Sequence, residues 1–269
     1  LREKGLAGAE KKAGRIAAEG IVDTAMAADE KKAVIVEVNA ETDFVAKNAK
    51  FQAYVAQVAA QALTTTATDM DAFMDEKWTA DESLTVKEAL SSEISIIGEN
   101  MSIRRFKQVT EENGFVSSYI HAGGRIGVLL DVQTDVVNDA VKEMAKNVCM
   151  QVAALNPKYT NRNEVSADFI EHEKSILMAQ IQNDPKEASK PEKVIQGMIT
   201  GRIKKELKEI CLLDQTYVKA EDGKQSVAKY LESVSKDLKI TKMIRFEVGE
   251  GMEKKQEDFA AEVAAQMNA

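Results

Sequence analysis

The sequence contains few of the residues on which metal sites and redox sites depend. It has two histidines, two cysteines and three prolines in 269 residues. His121 and His172 stand far apart, with no cluster of cysteines or carboxylates at metal-ligand spacing, which argues against a zinc site. Cys149 and Cys211 each fall in an apolar helical pattern, which predicts buried reduced thiols rather than a disulfide. We therefore expect no metal and no cofactor.

The motifs that mark nucleotide-binding and acyl-transfer enzymes are also absent. No Gly-x-x-x-x-Gly-Lys-Ser/Thr loop occurs, and residues 123–127 (Gly-Gly-Arg-Ile-Gly) lack the preceding strand and following helix of a dinucleotide fingerprint. Their glycines favour a hairpin loop, since glycine readily adopts positive φ. No set of serine, histidine and acid has a recognisable signature. The chain is therefore predicted not to be an enzyme.

The sequence also lacks long apolar runs and segments in which charges of one sign are concentrated. No run of about 18 apolar residues could span a membrane, and residues 1–5 (Leu-Arg-Glu-Lys-Gly) have no apolar core of a signal peptide. Charged residues make up 30% of the chain, the net charge is −8, and both signs are mixed along it. A protein that binds nucleic-acid phosphates would concentrate lysine and arginine. We therefore predict a cytoplasmic protein with no direct nucleic-acid partner and no membrane partner.

What the sequence does contain is a duplicated pattern. Four residues recur at one constant interval of 92 positions, as Val38/Leu130, Thr42/Thr134, Asp43/Asp135 and Leu63/Leu155. Each copy opens with a glycine and a short apolar strand, and then has a second strand, an amphipathic helix and a third strand. The pattern predicts an α+β fold with two duplicated subdomains, each a three-stranded antiparallel sheet with helices.

Two further helical elements interrupt or follow this pattern. Ser166 can cap a helix that ends before Pro185, and a second helix follows Pro191, because proline cannot continue a helix interior. Their thin apolar stripes predict an inserted antiparallel coiled-coil hairpin. A C-terminal helix follows the glycines of residues 249–251. The predicted divisions are 1–18 (a linker), 19–113 (core subdomain N), 114–164 with 214–248 (core subdomain C), 165–213 (the hairpin) and 249–269 (the C-terminal module).

The segment after the second strand is the first candidate site. Thr42 or Asp43 gives a helix-start signal, and the aromatic Phe44 follows it directly. Taken alone, an aromatic residue after a strand is more often part of the core than a contact for a partner. The second copy, however, has two valines (Val136 and Val137) after the same Thr-Asp pair. This difference favours a role for Phe44 beyond the scaffold, and both interpretations stay open.

Two weaker candidates accompany it. His121 is predicted at a hairpin tip, where a lone histidine is usually a solvated surface residue. The C-terminal helix carries an apolar stripe that would ordinarily dock on its own domain, with partner binding as the less common alternative. The stripe consists of Met252, Phe259, Val263 and Met267.

Four segments resemble bacterial elongation factor Ts, in the order in which that family has them. They are residues 41–48 (Glu-Thr-Asp-Phe-Val-Ala-Lys-Asn), 97–105 (Ile-Gly-Glu-Asn-Met-Ser-Ile-Arg-Arg), 119–121 with 125–129 (Tyr-Ile-His and Arg-Ile-Gly-Val-Leu) and 244–251 (Ile-Arg-Phe-Glu-Val-Gly-Glu-Gly). The resemblance covers essentially the whole chain. It departs at the start, where the family has a small domain resembling ubiquitin-associated domains, so residues 1–18 would be the linker from that missing domain.

The resemblance implies a nucleotide-exchange factor for the GTPase elongation factor Tu, bound in its GDP and nucleotide-free forms. It implies that Thr42, Asp43, Phe44 and Val45 intrude beside the Mg²⁺ site of the GTPase, with Asp43 in polar contacts and Phe44 as the apolar wedge. By the same resemblance, His121 presses near the phosphate-binding loop. The C-terminal module, with Met252, Phe259 and Val263, docks on the nucleotide domain. The hairpin would link two copies as a homodimer.

A different class of protein is the alternative interpretation. A dimeric scaffold or chaperone-like binding module would use the hairpin and the C-terminal helix without any exchange activity. The two classes differ in one property: the complex of an exchange factor dissolves when GDP or GTP is added, whereas a scaffold complex ignores nucleotide.

Overall fold

The structure is a computed structural model, and it describes residues 2–254, 263–264 and 266–267. Its strands are β1 (Glu19–Met26), β2 (Lys32–Ala40), β3 (Met101–Thr110), β4 (Gly114–His121), β5 (Ile126–Thr134) and β6 (Leu238–Glu247). Its helices are α1 (Arg2–Lys12), α2 (Asp43–Ala46), α3 (Ala49–Thr64), α4 (Met70–Met74), α5 (Val86–Ile97), α6 (Asp139–Leu155), α7 (Ala167–Gln182), α8 (Pro185–Ala188), α9 (Glu192–Ile210) and α10 (Val227–Val234). The strands form two three-stranded sheets, β1-β2-β3 and β4-β5-β6, which confirms the predicted α+β class.

The glycine that opens each copy has the same backbone role in both sheets. Gly20 has φ of 132° and Gly114 has φ of 143°. A Cβ atom on Gly20 would collide with the carbonyl oxygen of Val38, and one on Gly114 would collide with that of Val132. Because only glycine combines this φ with so close an approach of the partner strand, the duplication extends to the stereochemistry of the sheets.

Contacts divide the chain into two compact units. Unit 1 comprises the described parts of Leu1–Val109, Ile120–Gly127 and Phe246–Ala269, and unit 2 comprises Thr110–Tyr119 and Val128–Arg245. Within the predicted linker 1–18, the structure has the helix α1, which packs against α5. Leu6 is the one large apolar residue in α1, so periodicity does not reveal this helix. The predicted subdomain boundaries stay a prediction.

Strand β2 lies at the centre of unit 1 and is buried on both faces. The residues Val34, Val36 and Val38 belong to the core formed with α3. The strand continues to Ala40. Asn39 can stay buried there because its side-chain amide donates to the carbonyl oxygen of Glu19 (3.1 Å) and to a carboxylate oxygen of Glu37 (2.9 Å).

A buried carboxylate, Glu37, joins three segments of unit 1. Its side chain is 0% exposed. Oε1 accepts from Arg104 Nη1 at 3.0 Å and from Arg105 Nε at 2.7 Å. Oε2 accepts from the side chain of Asn39 and, at 2.8 Å, from the backbone amide of Gly249. This Glu37 network satisfies the buried charge and fastens β2, β3 and the segment after β6 to one another.

The segment that follows β6 is held by the same two arginines. The guanidinium of Arg105 lies 4.0 Å from the ring centroid of Phe246, in cation–π contact. Arg104 donates to the carbonyl oxygen of Glu250. Gly249 has φ of 75°, and a Cβ atom there would collide with the carbonyl oxygen of Ala18. The chain therefore reaches Met252 from a firmly held position.

The inserted hairpin of unit 2 confirms the predicted pair of helices. Ser166 caps α7, accepting from the amide of Phe169 at 3.1 Å. Asp184 caps the short helix α8, in which Pro185 takes the first position. The long helices α7 and α9 pack through a small apolar cluster, whose buried members are Ile181, Ile199 and Ile203.

The two cysteines are buried and free, as predicted. Burial raises the pKa of the Cys149 thiol to about 12, so this thiol stays protonated and unreactive at neutral pH. Within the described residues, no helix combines the length and apolar character needed to cross a membrane.

We expect Glu37→Gln to lower the free energy of unfolding by about 3 kcal/mol, because removing one charge of a buried ion pair leaves its partners uncompensated. Losing one partner of a buried ion pair usually costs about 3–5 kcal/mol. We expect the lower value because the side chains of Arg104 and Arg105 are 24% and 28% exposed, so water partly solvates their charges. Urea denaturation followed by circular dichroism measures the change. Glu82→Gln, at an exposed loop position, is the matched control. A loss below about 1 kcal/mol, typical of a surface ion pair, would contradict the stabilising role of the buried Glu37 network.

Candidate partner-binding site

The first candidate segment forms a single helical turn between two caps, here called the Phe44 turn (residues 42–48). Thr42 is the N-cap of α2, and its hydroxyl accepts from the amide of Val45 at 3.4 Å. Asn48 then caps α3, accepting from the amides of Lys50 at 2.9 Å and Phe51 at 3.1 Å. The predicted helix start at Thr42 or Asp43 is confirmed, with Thr42 as the N-cap. Because a cap stands at each end, the backbone of the turn is defined from both sides.

The side chains of the Phe44 turn separate into half-buried and exposed ones. Val45 and Ala46 pack against the core of unit 1, and Asp43 is exposed. The side chain of Phe44 is 80% exposed. Phe44 is therefore not a core residue, and the structure resolves that alternative. A large aromatic surface stands on this turn uncovered by the rest of the described chain.

A residue to which the sequence assigns no role, Glu99, holds the start of the turn. One carboxylate oxygen accepts from the amides of Glu41 and Thr42, both at 3.0 Å, and the other accepts from the Thr42 hydroxyl at 2.5 Å. In return, Glu41 Oε1 accepts from the amide of Asn100 at 3.0 Å. We call these four hydrogen bonds the Glu99 clamp.

The position of Glu99 follows from the way α5 ends. Gly98 takes the left-handed conformation, with φ of 85°, and terminates the helix. The next residue then turns back towards the end of β2. The sequence contains a signal here, since Glu99 lies in one of the segments that resemble the family, but its partners are 57 and 58 residues away in the chain. Only the tertiary fold reveals them.

The second candidate, His121, lies at the hairpin tip, as predicted. It is exposed and immediately precedes a single 3-10 turn over Ala122–Gly124. Gly124 packs so closely on β1 that a Cβ atom there would lie 2.8 Å from the side chain of Ile21. Arg125 forms an ion pair with Glu19 at 3.6 Å. The tip is therefore fixed to the first strand.

Unit 1 brings the Phe44 turn and the His121 tip to the same end of one strand. Glu19, the first residue of β1, pairs in register with Ala40, two residues before the Phe44 turn. Glu19 also holds Arg125 of the tip. Two sequence segments that are nearly 80 residues apart thus lie near the same end of β1.

The third candidate is described only in part. Met252 is half-buried and follows the segment held by the Glu37 network. Val263 and Met267 are exposed. Phe259 and most of the predicted C-terminal helix lie outside the described residues. The predicted role of this group therefore stays a prediction.

The corresponding turn of the second copy differs from the Phe44 turn. Asn138 caps α6 directly, accepting from the amide of Val141 at 2.9 Å, and no helical turn precedes it. Val136 and Val137 are 46% and 47% exposed. The added helical turn and the exposed aromatic thus belong to the first copy.

The arrangement suits contact with another macromolecule better than chemistry on a small molecule. Its exposed groups are an aromatic ring, an imidazole and a carboxylate on tightly held turns. Among the described residues, no group of three or more His, Cys, Asp and Glu side chains is placed to hold a metal ion. A protruding aromatic residue on a held turn is a typical anchor of a protein interface.

Comparison with known proteins gives the family. The model of the family described as Elongation factor TS matches residues 41–250. Elongation factor Ts of Clostridium botulinum (strain Eklund 17B / Type B) is 48% identical over 271 residues, which cover 99% of this chain and 87% of that protein. Those of Clostridioides difficile (strain 630) and Clostridium perfringens (strain 13 / Type A) are 48% and 49% identical over 99% and 98% of this chain, and both alignments cover 86% of the relative. The chain therefore belongs to the elongation factor Ts family of translation elongation factors.

Proposed function

We propose that this protein is a guanine-nucleotide exchange factor that releases GDP from elongation factor Tu. It makes and breaks no covalent bond, and so it is not an enzyme in the catalytic sense. It binds the GDP-bound and the nucleotide-free forms of the GTPase. The observation that carries the proposal is the 80% exposure of Phe44 on a turn that is capped at both ends.

An exchange factor works through differential affinity. It must bind the nucleotide-free GTPase more tightly than the GDP-bound form, and linkage then requires that it weakens GDP binding by the same factor. Such a protein needs no nucleotide site of its own. The absence of phosphate-binding loop motifs from the sequence is consistent with this requirement.

The Phe44 turn is proposed to act at the Mg²⁺ site of the GTPase. Mg²⁺ demands near-ideal octahedral geometry. A small displacement of its ligands therefore weakens the binding of the ion and, with it, the binding of the nucleotide that the ion contacts. Phe44 would supply the apolar wedge, Asp43 the polar contacts, and Thr42 and Val45 the fixed ends of the wedge. A side chain on a rigid turn loses little conformational entropy on binding. More of the free energy of its contacts is therefore available to displace the Mg²⁺ ligands.

The other candidates are proposed to widen the same contact. His121 would contact the GTPase near its phosphate-binding loop. It lies near the same end of β1 as the Phe44 turn. The C-terminal module, with Met252, Phe259 and Val263, would dock on the nucleotide domain. We propose a cytoplasmic location, without a direct nucleic-acid or membrane partner. Association of two copies through the hairpin stays a prediction.

We expect Phe44→Ala to slow stimulated GDP release by about 10- to 100-fold, since interface anchors of this kind contribute about 2 kcal/mol or more. Stopped-flow release of a fluorescent GDP from elongation factor Tu measures the rate. Unfolding in urea should be unchanged, because the side chain is 80% exposed. Val136→Ala, in the matching turn of the second copy, is the control and should leave the rate unaltered. A wild-type rate in Phe44→Ala would remove the wedge from the mechanism.

His121→Ala is expected to have a smaller effect, about 3- to 10-fold on the same release rate, because a peripheral polar contact contributes less than a central aromatic one. His172→Ala removes the other histidine, which is exposed on α7, and serves as the matched control. Circular dichroism checks the fold of both variants. If His121→Ala unfolds the protein, the residue is structural and its role at the interface is wrong.

A mixing experiment separates exchange factor from scaffold. Without nucleotide, this protein and elongation factor Tu should elute together from a size-exclusion column. Adding excess GDP or GTP with Mg²⁺ should dissolve the complex, because the two ligands oppose each other through linkage. A complex that persists at saturating nucleotide would favour the scaffold interpretation and contradict the proposed exchange activity.

A further inference from the structure

The Glu99 clamp holds Thr42, the first residue of the Phe44 turn. All three hydrogen bonds that Glu99 accepts come from Glu41 and Thr42. The Thr42 hydroxyl also accepts from the amide of Val45. A continuous chain of hydrogen bonds thus runs from the carboxylate of Glu99 through the Thr42 hydroxyl into α2, on which Phe44 stands.

The helix α2 depends on such external support. It has four residues, Asp43–Ala46, far fewer than the roughly 12 to 15 that an isolated helix needs for marginal stability in water. Its conformation therefore comes from its caps and from the packing of Val45 and Ala46 on the core. The cap at its N-terminal end is oriented by a charged acceptor, and hydrogen bonds to charged groups are the stronger kind.

We propose that Glu99 is a positioning residue for nucleotide exchange, which holds the Phe44 turn in the conformation that engages the GTPase. The inference rests on the exchange function proposed above. Glu99 acts through Thr42. When the clamp is lost, the turn samples other conformations, and the fraction of complexes in which Phe44 is inserted falls accordingly.

The chain offers both a conservative variant and a matched control. Glu99→Ala removes all three acceptor contacts. Glu99→Gln keeps one oxygen for the two backbone amides, and its NH₂ group can donate to the Thr42 hydroxyl. Glu88 provides the control: it accepts from the amide of Thr85 at 3.1 Å in the capping box at the opposite end of α5. Glu88→Ala therefore breaks a similar bond at the start of α5, away from the Phe44 turn.

The first measurement uses the free protein and does not require the GTPase. Hydrogen exchange followed by NMR reports on the amides of Thr42 and Val45, which are donors in the clamp and in the cap. In Glu99→Ala these two amides should exchange at least about tenfold faster, as expected when a bond to a charged acceptor is lost. Glu99→Gln and Glu88→Ala should leave them within about threefold of wild type. Unchanged protection in Glu99→Ala would overturn the proposal.

The second measurement follows GDP release at saturating protein. Glu99→Ala should lower the maximal release rate at least about tenfold, while the half-saturating concentration changes by less than about threefold. Glu99→Gln should restore most of the rate, and Glu88→Ala should keep it. A general loss of stability would instead affect Glu88→Ala and Glu99→Ala alike, which would overturn the positioning role.

A double-mutant cycle then tests the path of the effect. If Glu99 acts through the Phe44 turn, adding Glu99→Ala to Phe44→Ala should slow release by less than about twofold further, because the effects of coupled residues are not additive. Effects that multiply would show that Glu99 acts elsewhere and would overturn the inference. If the wild-type protein itself fails to accelerate release, the exchange function is wrong and the inference falls with it, whatever hydrogen exchange reports.

Discussion

The carboxylate of Glu37 is the contact on which the geometry of unit 1 depends. It lies in the central strand of the first sheet and accepts from two arginines of β3, from Asn39 and from the amide of Gly249. A charge in this position is unfavourable unless every partner is present. The network therefore forms completely only when β2, β3 and the segment after β6 are all in place.

The candidate site is built on this frame by a second layer of polar contacts. Glu99 fastens the Phe44 turn, while Arg125 and Gly124 fasten the His121 tip to β1. In both places the exposed candidate side chain makes no large contribution to the core, and neighbouring residues hold the backbone that carries it. This separation of roles suits a protein whose proposed task is to displace groups of a partner. A flexible turn would itself change conformation on contact, whereas a rigid one transmits the displacement to the partner.

Much of this arrangement could be predicted from local sequence patterns, and the rest depends on contacts between distant segments. The duplicated strand pattern, the helix-start signal at Thr42 or Asp43 and the two prolines of the hairpin predict elements that the structure confirms. The helix α1 escapes prediction because its packing on α5 uses glycines and serines in place of an apolar stripe. The exposure of Phe44 and the partners of Glu99 and Glu37 are tertiary facts, for which periodicity carries no signal.

The paired glycines at positions 20 and 114 are a feature that the two copies share strictly. Each has positive φ and no side chain where the neighbouring strand passes. A side chain at either position would push two paired strands apart, so both sheets have the same point of sensitivity to substitution. The turn after the second strand is not shared in this way, since the first copy has a helical turn with Phe44 and the second has a pair of exposed valines. The two halves of the chain therefore agree in the stereochemistry of their sheets and differ at the surface.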